Sequence, residues 1–186
     1  LDTVFSKDSS HLISVSRDRS MKLMKVDAQQ FIDNITSITP GALKGGLISI
    51  DRHPGKDELL IGGADGTPKI YRMFRQKARK IGDDFNLIRK FATLPGRIFS
   101  AEYSADGSRV VAGSSKEGEG MVRVYEEGNA KQLWELKVSG GVFTCAFSHD
   151  GKTVAAAGFL GKVLLLDAAT GKILKEMIPV PLETAD

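Results

Sequence analysis

The side chains able to do chemistry in this chain of 186 residues are few: three histidines, one cysteine, and scattered loop carboxylates and basic residues. His11, His53 and His149 each stand beside or within a turn-rich stretch. None has a second His, a Cys or a carboxylate cluster at a metal-ligand spacing, so they read as turn histidines and no metal is expected. Cys145 lacks a neighbouring His signature that would make it a nucleophile. It alternates with Phe143 and Phe147, the pattern of a buried apolar thiol. Gly151-Lys152-Thr153 resembles the end of a phosphate loop, yet Ala146 stands where the first glycine is required and a strand-like Val154-Ala155-Ala156 follows instead of a helix. Asp65-Gly66 and Asp106-Gly107 lack the alternating oxygen ligands of a calcium loop. With no Gly-x-Ser-x-Gly elbow and no paired carboxylates in a catalytic frame, neither a catalytic residue nor a cofactor site is expected.

Charge is concentrated in one place, where Arg72, Arg75, Lys77, Arg79 and Lys80 precede the first acids, Asp83 and Asp84. This basic segment could meet phosphate or an acidic protein, with Phe74 available for stacking; it could also be a solvated outer loop. A net charge of +3, from 26 basic and 23 acidic residues, does not make nucleic acid or membrane the default partner. No apolar run approaches the roughly 20 residues that span a bilayer. A single cysteine forms no internal disulfide and leaves the redox compartment and localisation unread.

The elements that must carry these residues are short apolar runs of strand length, rich in Val, Ile, Leu and Phe and bounded by Gly, Asp, Asn, Ser and Pro. They repeat. Arg97–Tyr103, the turn Ser104-Ala105-Asp106-Gly107, Arg109–Ser114 and Met121–Glu126 return as Gly141–Phe147, Ser148-His149-Asp150-Gly151, Thr153–Gly158 and Lys162–Asp167. Two further copies precede them, giving units at about 1–37, 46–94, 97–138 and 141–178, with 179–186 as a tail or linker. Taking Phe5, Arg52, Tyr103 and Phe147 as equivalent gives spacings of 47, 51 and 44 residues, at or just above the period of about 40 to 45 expected for four-stranded propeller blades. Several runs are apolar on both faces, as in Val163-Leu164-Leu165-Leu166, which suits blades stacked face to face. Small residues at Ile61-Gly62-Gly63, Val111-Ala112-Gly113 and Ala155-Ala156-Ala157-Gly158 predict close approach between neighbours. The fold class expected is all-β: an arc of four four-stranded antiparallel blades. Because solenoid-like stacks need caps and neither end here reads as one, the arc is expected to be part of a larger propeller whose remaining blades are among its partners.

Phe147–Gly158, followed by Lys162-Val163-Leu164-Leu165-Leu166-Asp167, resembles the WD-repeat family of β-propellers. The Trp of that family's closing dipeptide is replaced throughout, by Met24-Lys25, Tyr71-Arg72, Tyr125-Glu126 and Leu166-Asp167. Its opening Gly-His is absent too. These replacements remove side chains of the family's hydrogen-bond network and leave the strand order untouched. A weaker resemblance, over 16–22 and 34–46, is to propellers fused to cytochrome c-like segments in planctomycete-type bacteria, which would be extracytoplasmic.

In a propeller, the turns between second and third strands share one face with the linkers into each first strand. That gathers Arg17, Asp18, Arg19, Lys44, Ala64, Asp65, Arg97, Lys116, Glu117, Phe159 and Leu160. Phe159 and Leu160 are apolar where a turn is usually polar, so Phe159 either anchors a partner or folds over its own blade. Arg17, Arg19, Arg97, Phe159 and Leu160 are the expected protein-binding residues of a non-catalytic scaffold. Two other readings stand beside it. One is an accessory segment of a larger redox or hydrolytic protein, marked by a Cys-x-x-Cys-His haem motif in flanking sequence. The other is nucleic-acid binding through Arg72–Lys80.

Overall fold

In a computed structural model, residues 1–37 and 45–179 are described; Lys44 and the tail 180–186 lie outside them. Among the described residues, sixteen strands form four separate four-stranded sheets, each an antiparallel meander in chain order. The first blade holds β1 (Asp2–Phe5), β2 (His11–Val15), β3 (Met21–Lys25) and β4 (Gln30–Asn34). The second holds β5 (Leu47–Arg52), β6 (Glu58–Gly63), β7 (Lys69–Arg72) and β8 (Leu87–Lys90). The third holds β9 (Arg97–Tyr103), β10 (Arg109–Lys116), β11 (Glu119–Glu126) and β12 (Gln132–Ser139). The fourth holds β13 (Val142–Phe147), β14 (Thr153–Gly158), β15 (Val163–Asp167) and β16 (Ile173–Met177).

The first hairpin of a blade is set by its turn chemistry. Asp106 accepts hydrogen bonds from the Ser104 hydroxyl at 2.6 Å and the Ser108 N–H at 3.0 Å, while Ser104 Oγ accepts the Arg109 N–H at 3.0 Å. Gly107 supplies the positive φ of 72° that closes this loop. Ser148 and Asp150 repeat the arrangement in the fourth blade, and Ser6 and Asp8 in the first. In the second blade the His53 ring takes over: its Nδ1 accepts the N–H groups of Gly55 and Lys56, both at 3.0 Å.

The blades follow one another around an axis: β1 packs on β5, β5 on β9, and β9 on β13. Three cores lie between them. Ile13, Met21 and Leu23 meet Leu59, Ile61 and Tyr71; Leu60 and Ile70 meet Val110, Ala112 and Tyr125; Val111, Val122 and Val124 meet Val154, Ala156 and Leu166. The second and third blades thus each give one side-chain parity to the core behind and the other to the core ahead, the two-faced burial that the non-alternating runs predict. The small residues lie where expected: a Cβ on Gly62 would come within 2.3 Å of Ile98 Cγ2, and one on Gly113 within 2.6 Å of Val142 Cγ1. Among the described residues β13 has no matching packing contact with β1, so the arc stays open.

A register of hydrogen bonds accompanies the cores. Asp2, Ser49, Ser100 and Thr144 occupy equivalent places on the four first strands. The Ile50 N–H donates to Asp2 Oδ2 at 2.9 Å, the Ala101 N–H to Ser49 Oγ at 2.9 Å, and the Cys145 N–H to Ser100 Oγ at 3.2 Å. One side chain of each inner strand therefore holds the main chain of the next blade.

Candidate functional site

The turns that follow the second strands are tied to the linkers that feed the first strands. The Ala64 N–H donates to Gly46 O at 2.9 Å, Gly140 N–H to Gly118 O at 2.9 Å, and Phe159 N–H to Gly141 O at 2.9 Å. Leu47 N–H closes on Ser16 O at 3.0 Å beside Arg17. These bonds fasten the loops into one rim, with little freedom at its base.

Arg17 and Arg19 sit in the turn between β2 and β3, Arg97 opens β9 opposite Ser115, and Phe159 and Leu160 form the turn between β14 and β15. All five are exposed. They belong to three different blades, so the fold spaces them along the rim instead of bringing them into one cluster. Arg19 holds a positive φ of 73°, which turns its backbone away from the strand path. Leu160 lies against Gly140, whose added Cβ would meet Leu160 Cγ at 2.8 Å. Phe159 is 74% exposed, which decides between its two sequence readings in favour of a ring presented to solvent. Beneath it a shallow cleft of roughly 280 Å³ is lined by Val138, Gly141, Ala157, Leu160, Leu164 and Ile173.

Part of the basic segment is tied down within the fold. Arg75 Nε donates to Asp33 Oδ2 at 3.0 Å, and Arg79 donates to Asp33 Oδ1 at 2.7 Å and also to the Asn34 carbonyl. Arg75 lies 3.7 Å from Asp83 as well. Arg72 and Lys77 flank the Phe85 ring, the Lys77 ammonium 5.0 Å from its centroid. Phe74, expected to be available for stacking, is half-buried with its ring edge-on to His11 at 5.2 Å. The loop straps the second blade to β4 of the first, and Lys77 and Lys80 are left exposed on it.

The remaining reactive groups serve the structure. His53 is buried, edge-on to Tyr103 at 5.0 Å, and burial lowers its pKa. Cys145 is 1% exposed, and burial pushes its thiol up to about 12, leaving no thiolate at neutral pH. Phe143 does not follow it inward: a bulge between Val142 and Thr144 turns Phe143 out to 45% exposure, edge-on to Phe99 at 5.2 Å.

One grouping escaped the sequence reading. Asp2, Asp51 and Glu102, from three first strands, face a common space of roughly 370 Å³ along the inner side of the arc. Asp51 Oδ2 accepts the Tyr103 N–H at 2.8 Å, yet burial still raises its pKa. Burial, then Asp51 and Asp2, push Glu102 up to about 7. The acids are separated by roughly fifty residues each, so only the radial succession of blades could have exposed the cluster.

Residues 130–167 match the WD domain, G-beta repeat family. The matched stretch runs from the outer strand β12 through β13, β14 and β15, so the family's unit is offset from the structural blade by one strand. The chain is also 29% identical over 145 residues to the U3 small nucleolar RNA-associated protein 4 homolog of Mus musculus, covering 74% of this chain and 20% of that protein. The chain spans about a fifth of the length of that relative. The relative is a mouse protein, so the likeness to bacterial cytochrome-fused propellers rests on the two sequence stretches alone.

Proposed function

We propose that this WD-repeat propeller segment is a non-catalytic platform that binds other proteins through its rim, with Arg17, Arg19, Arg97, Phe159 and Leu160 as the contact residues. The observation that supports this reading is Phe159, a large ring held 74% exposed on a turn whose base is hydrogen-bonded to the frame. A rigid, exposed aromatic loses little entropy on binding and buries much area, which is the chemistry of an interface anchor. Guanidinium groups spaced along the same rim supply orientation and carboxylate recognition. Further propeller blades meeting the open ends of the arc form the second class of protein contact.

The mouse relative's name associates that protein with U3 small nucleolar RNA. For this chain, membership of such an assembly would run through protein contacts, because Arg75 and Arg79, at the centre of the basic segment, are taken up by Asp33.

The test is affinity capture with wild type and with an Arg97→Ala/Phe159→Ala double variant, compared by quantitative mass spectrometry. Loss of at least tenfold in the recovery of specific partners, with an unchanged thermal midpoint, is the expected result. A matched loss of stability would show that the two residues are structural, and unchanged recovery would remove the rim from the function.

A further inference from the structure

The cleft beneath Phe159 lies between the third and fourth blades, and both of its walls lie among the described residues. The junction before it shows what such a space holds. On the third blade Ala101 pairs with Ala112, Ala112 with Arg123 and Arg123 with Glu135. On the fourth, Cys145 pairs with Ala156, Ala156 with Leu164 and Leu164 with Glu176. Ala101 and Cys145 are equivalent, since each donates its N–H to the acceptor side chain of the blade before. Leu164 therefore stands in the place of Arg123, and Glu176 in that of Glu135. The same place carries Lys22 in the first blade and Lys69 in the second.

Arg123 fills its junction. Its side chain is 9% exposed, and Nε and Nη2 donate to Glu135 Oε2 at 3.0 and 2.7 Å. Nη1 donates to the carbonyls of Ala92 and Thr93 at 3.3 and 3.1 Å, so the guanidinium of the third blade clasps the linker that leaves the second. One junction later the carboxylate remains and the guanidinium is gone. Leu164 does not reach as far, and the space it leaves is the cleft, walled by Val138, Leu164 and Ile173 with Glu176 at its edge. The local charges balance. Lys137, which also lines the cleft, is taken by Glu119 at 2.7 Å, and Lys162 reaches Glu176 Oε1 at 2.5 Å. The Lys162–Glu176 pair is nearly half exposed on both sides, where an ion pair adds little.

We propose that this cleft is a socket for an arginine side chain of a partner protein, whose guanidinium takes the place that Arg123 fills one junction earlier and pairs with Glu176. The methylenes lie against Val138, Leu164 and Ile173, as the apolar stems of charged side chains do. The planar fork meets both carboxylate oxygens, which the ammonium of Lys162 does not, so Lys162 gives way to solvent. The exposed Phe159 ring, at the entrance, covers the segment that carries the arginine. The inference rests on the rim function proposed above and names the chemistry that the rim recognises.

The experiment titrates the protein with the capped tripeptide Leu-Arg-Leu, with Leu-Gln-Leu as comparator, and follows the methyl NMR signals of Val138, Leu164 and Ile173. Saturable shifts with the arginine peptide are expected, with binding at least tenfold weaker for the glutamine peptide and at least tenfold weaker after Glu176→Gln. Leu164→Arg supplies the guanidinium from within. It should abolish peptide binding, read at Val138 and Ile173, and leave the thermal midpoint unchanged or higher. Absence of saturable shifts in the millimolar range overturns the inference, and so does equal binding of the two peptides, the behaviour of a merely apolar groove. Unaltered binding to Leu164→Arg also overturns it, because the peptide then lies elsewhere. Neither variant alters Arg97 or Phe159, so the two readings separate. If the socket is disproved while partner capture still depends on Arg97 and Phe159, the rim function stands without it.

Discussion

Glu102 is a carboxyl group whose charge the fold resists. Its carboxyl is pushed up to about 7 from an ordinary 4.5, so the folded protein holds a proton that the unfolded chain releases. Below pH 4.5 the group costs nothing; as pH rises from 4.5 to 7 stability falls, and above 7 the loss is complete. The turn carboxylates act oppositely. Hydrogen bonds from Ser104 and Ser108 hold Asp106 down to about 2, and serine hydroxyls lower Asp8, Asp18 and Asp150 likewise, so their contribution is present above pH 4 and fades as pH falls through the folded value. Glu102→Gln should therefore raise the thermal midpoint at pH 8, by about 1 kcal/mol of stability once solvent screening of this half-buried group is counted, and have no effect at pH 4.5. Thermal scans across that range check it, and a gain independent of pH would assign the effect to something other than the charge.

At the scale of strands and turns, the tightest constraint is the lack of room between blades. Gly62→Ala places a methyl where Ile98 already lies, at 2.3 Å, and should cost about 1–3 kcal/mol as an overpacked junction. Ile98→Ala in the same chain should recover part of that loss, measured as the coupling in a double-mutant cycle of denaturant midpoints; additive losses would show that the clash is relieved elsewhere. These elements were largely legible in the sequence. The Asp-Gly turns, the small-residue ends of β6, β10 and β14 and the spacing of the runs are local, and each carries its own stereochemical reason. What stayed hidden depends on contacts between distant blades. Asp33 neutralising Arg75 and Arg79 across more than forty residues, the bulge that turns Phe143 outward, and the acids gathered at Asp2, Asp51 and Glu102 have no local signature. The outward ring of Phe159 lay between these cases: its type was conspicuous in the sequence, but its exposure depended on how the turn meets Gly141.

Among the described residues of the whole molecule, three cores between neighbours and none across the axis make stability close to a sum of nearest-neighbour terms. The middle blades are clasped from both sides and the end blades from one. Amide hydrogens of β6 and β10 should exchange more slowly than those of β3 and β15, by tenfold or more. Hydrogen exchange read by mass spectrometry checks this, and a uniform rate would mean that the arc unfolds as one cooperative body.

The register bonds from Asp2, Ser49 and Ser100 all end on main-chain N–H groups, which every residue type except proline provides. A duplicated unit can therefore drift in almost all of its outward chemistry and still be accepted by its neighbour, provided one small polar acceptor survives. This is how four copies that share so little outward chemistry interlock as parts of one arc.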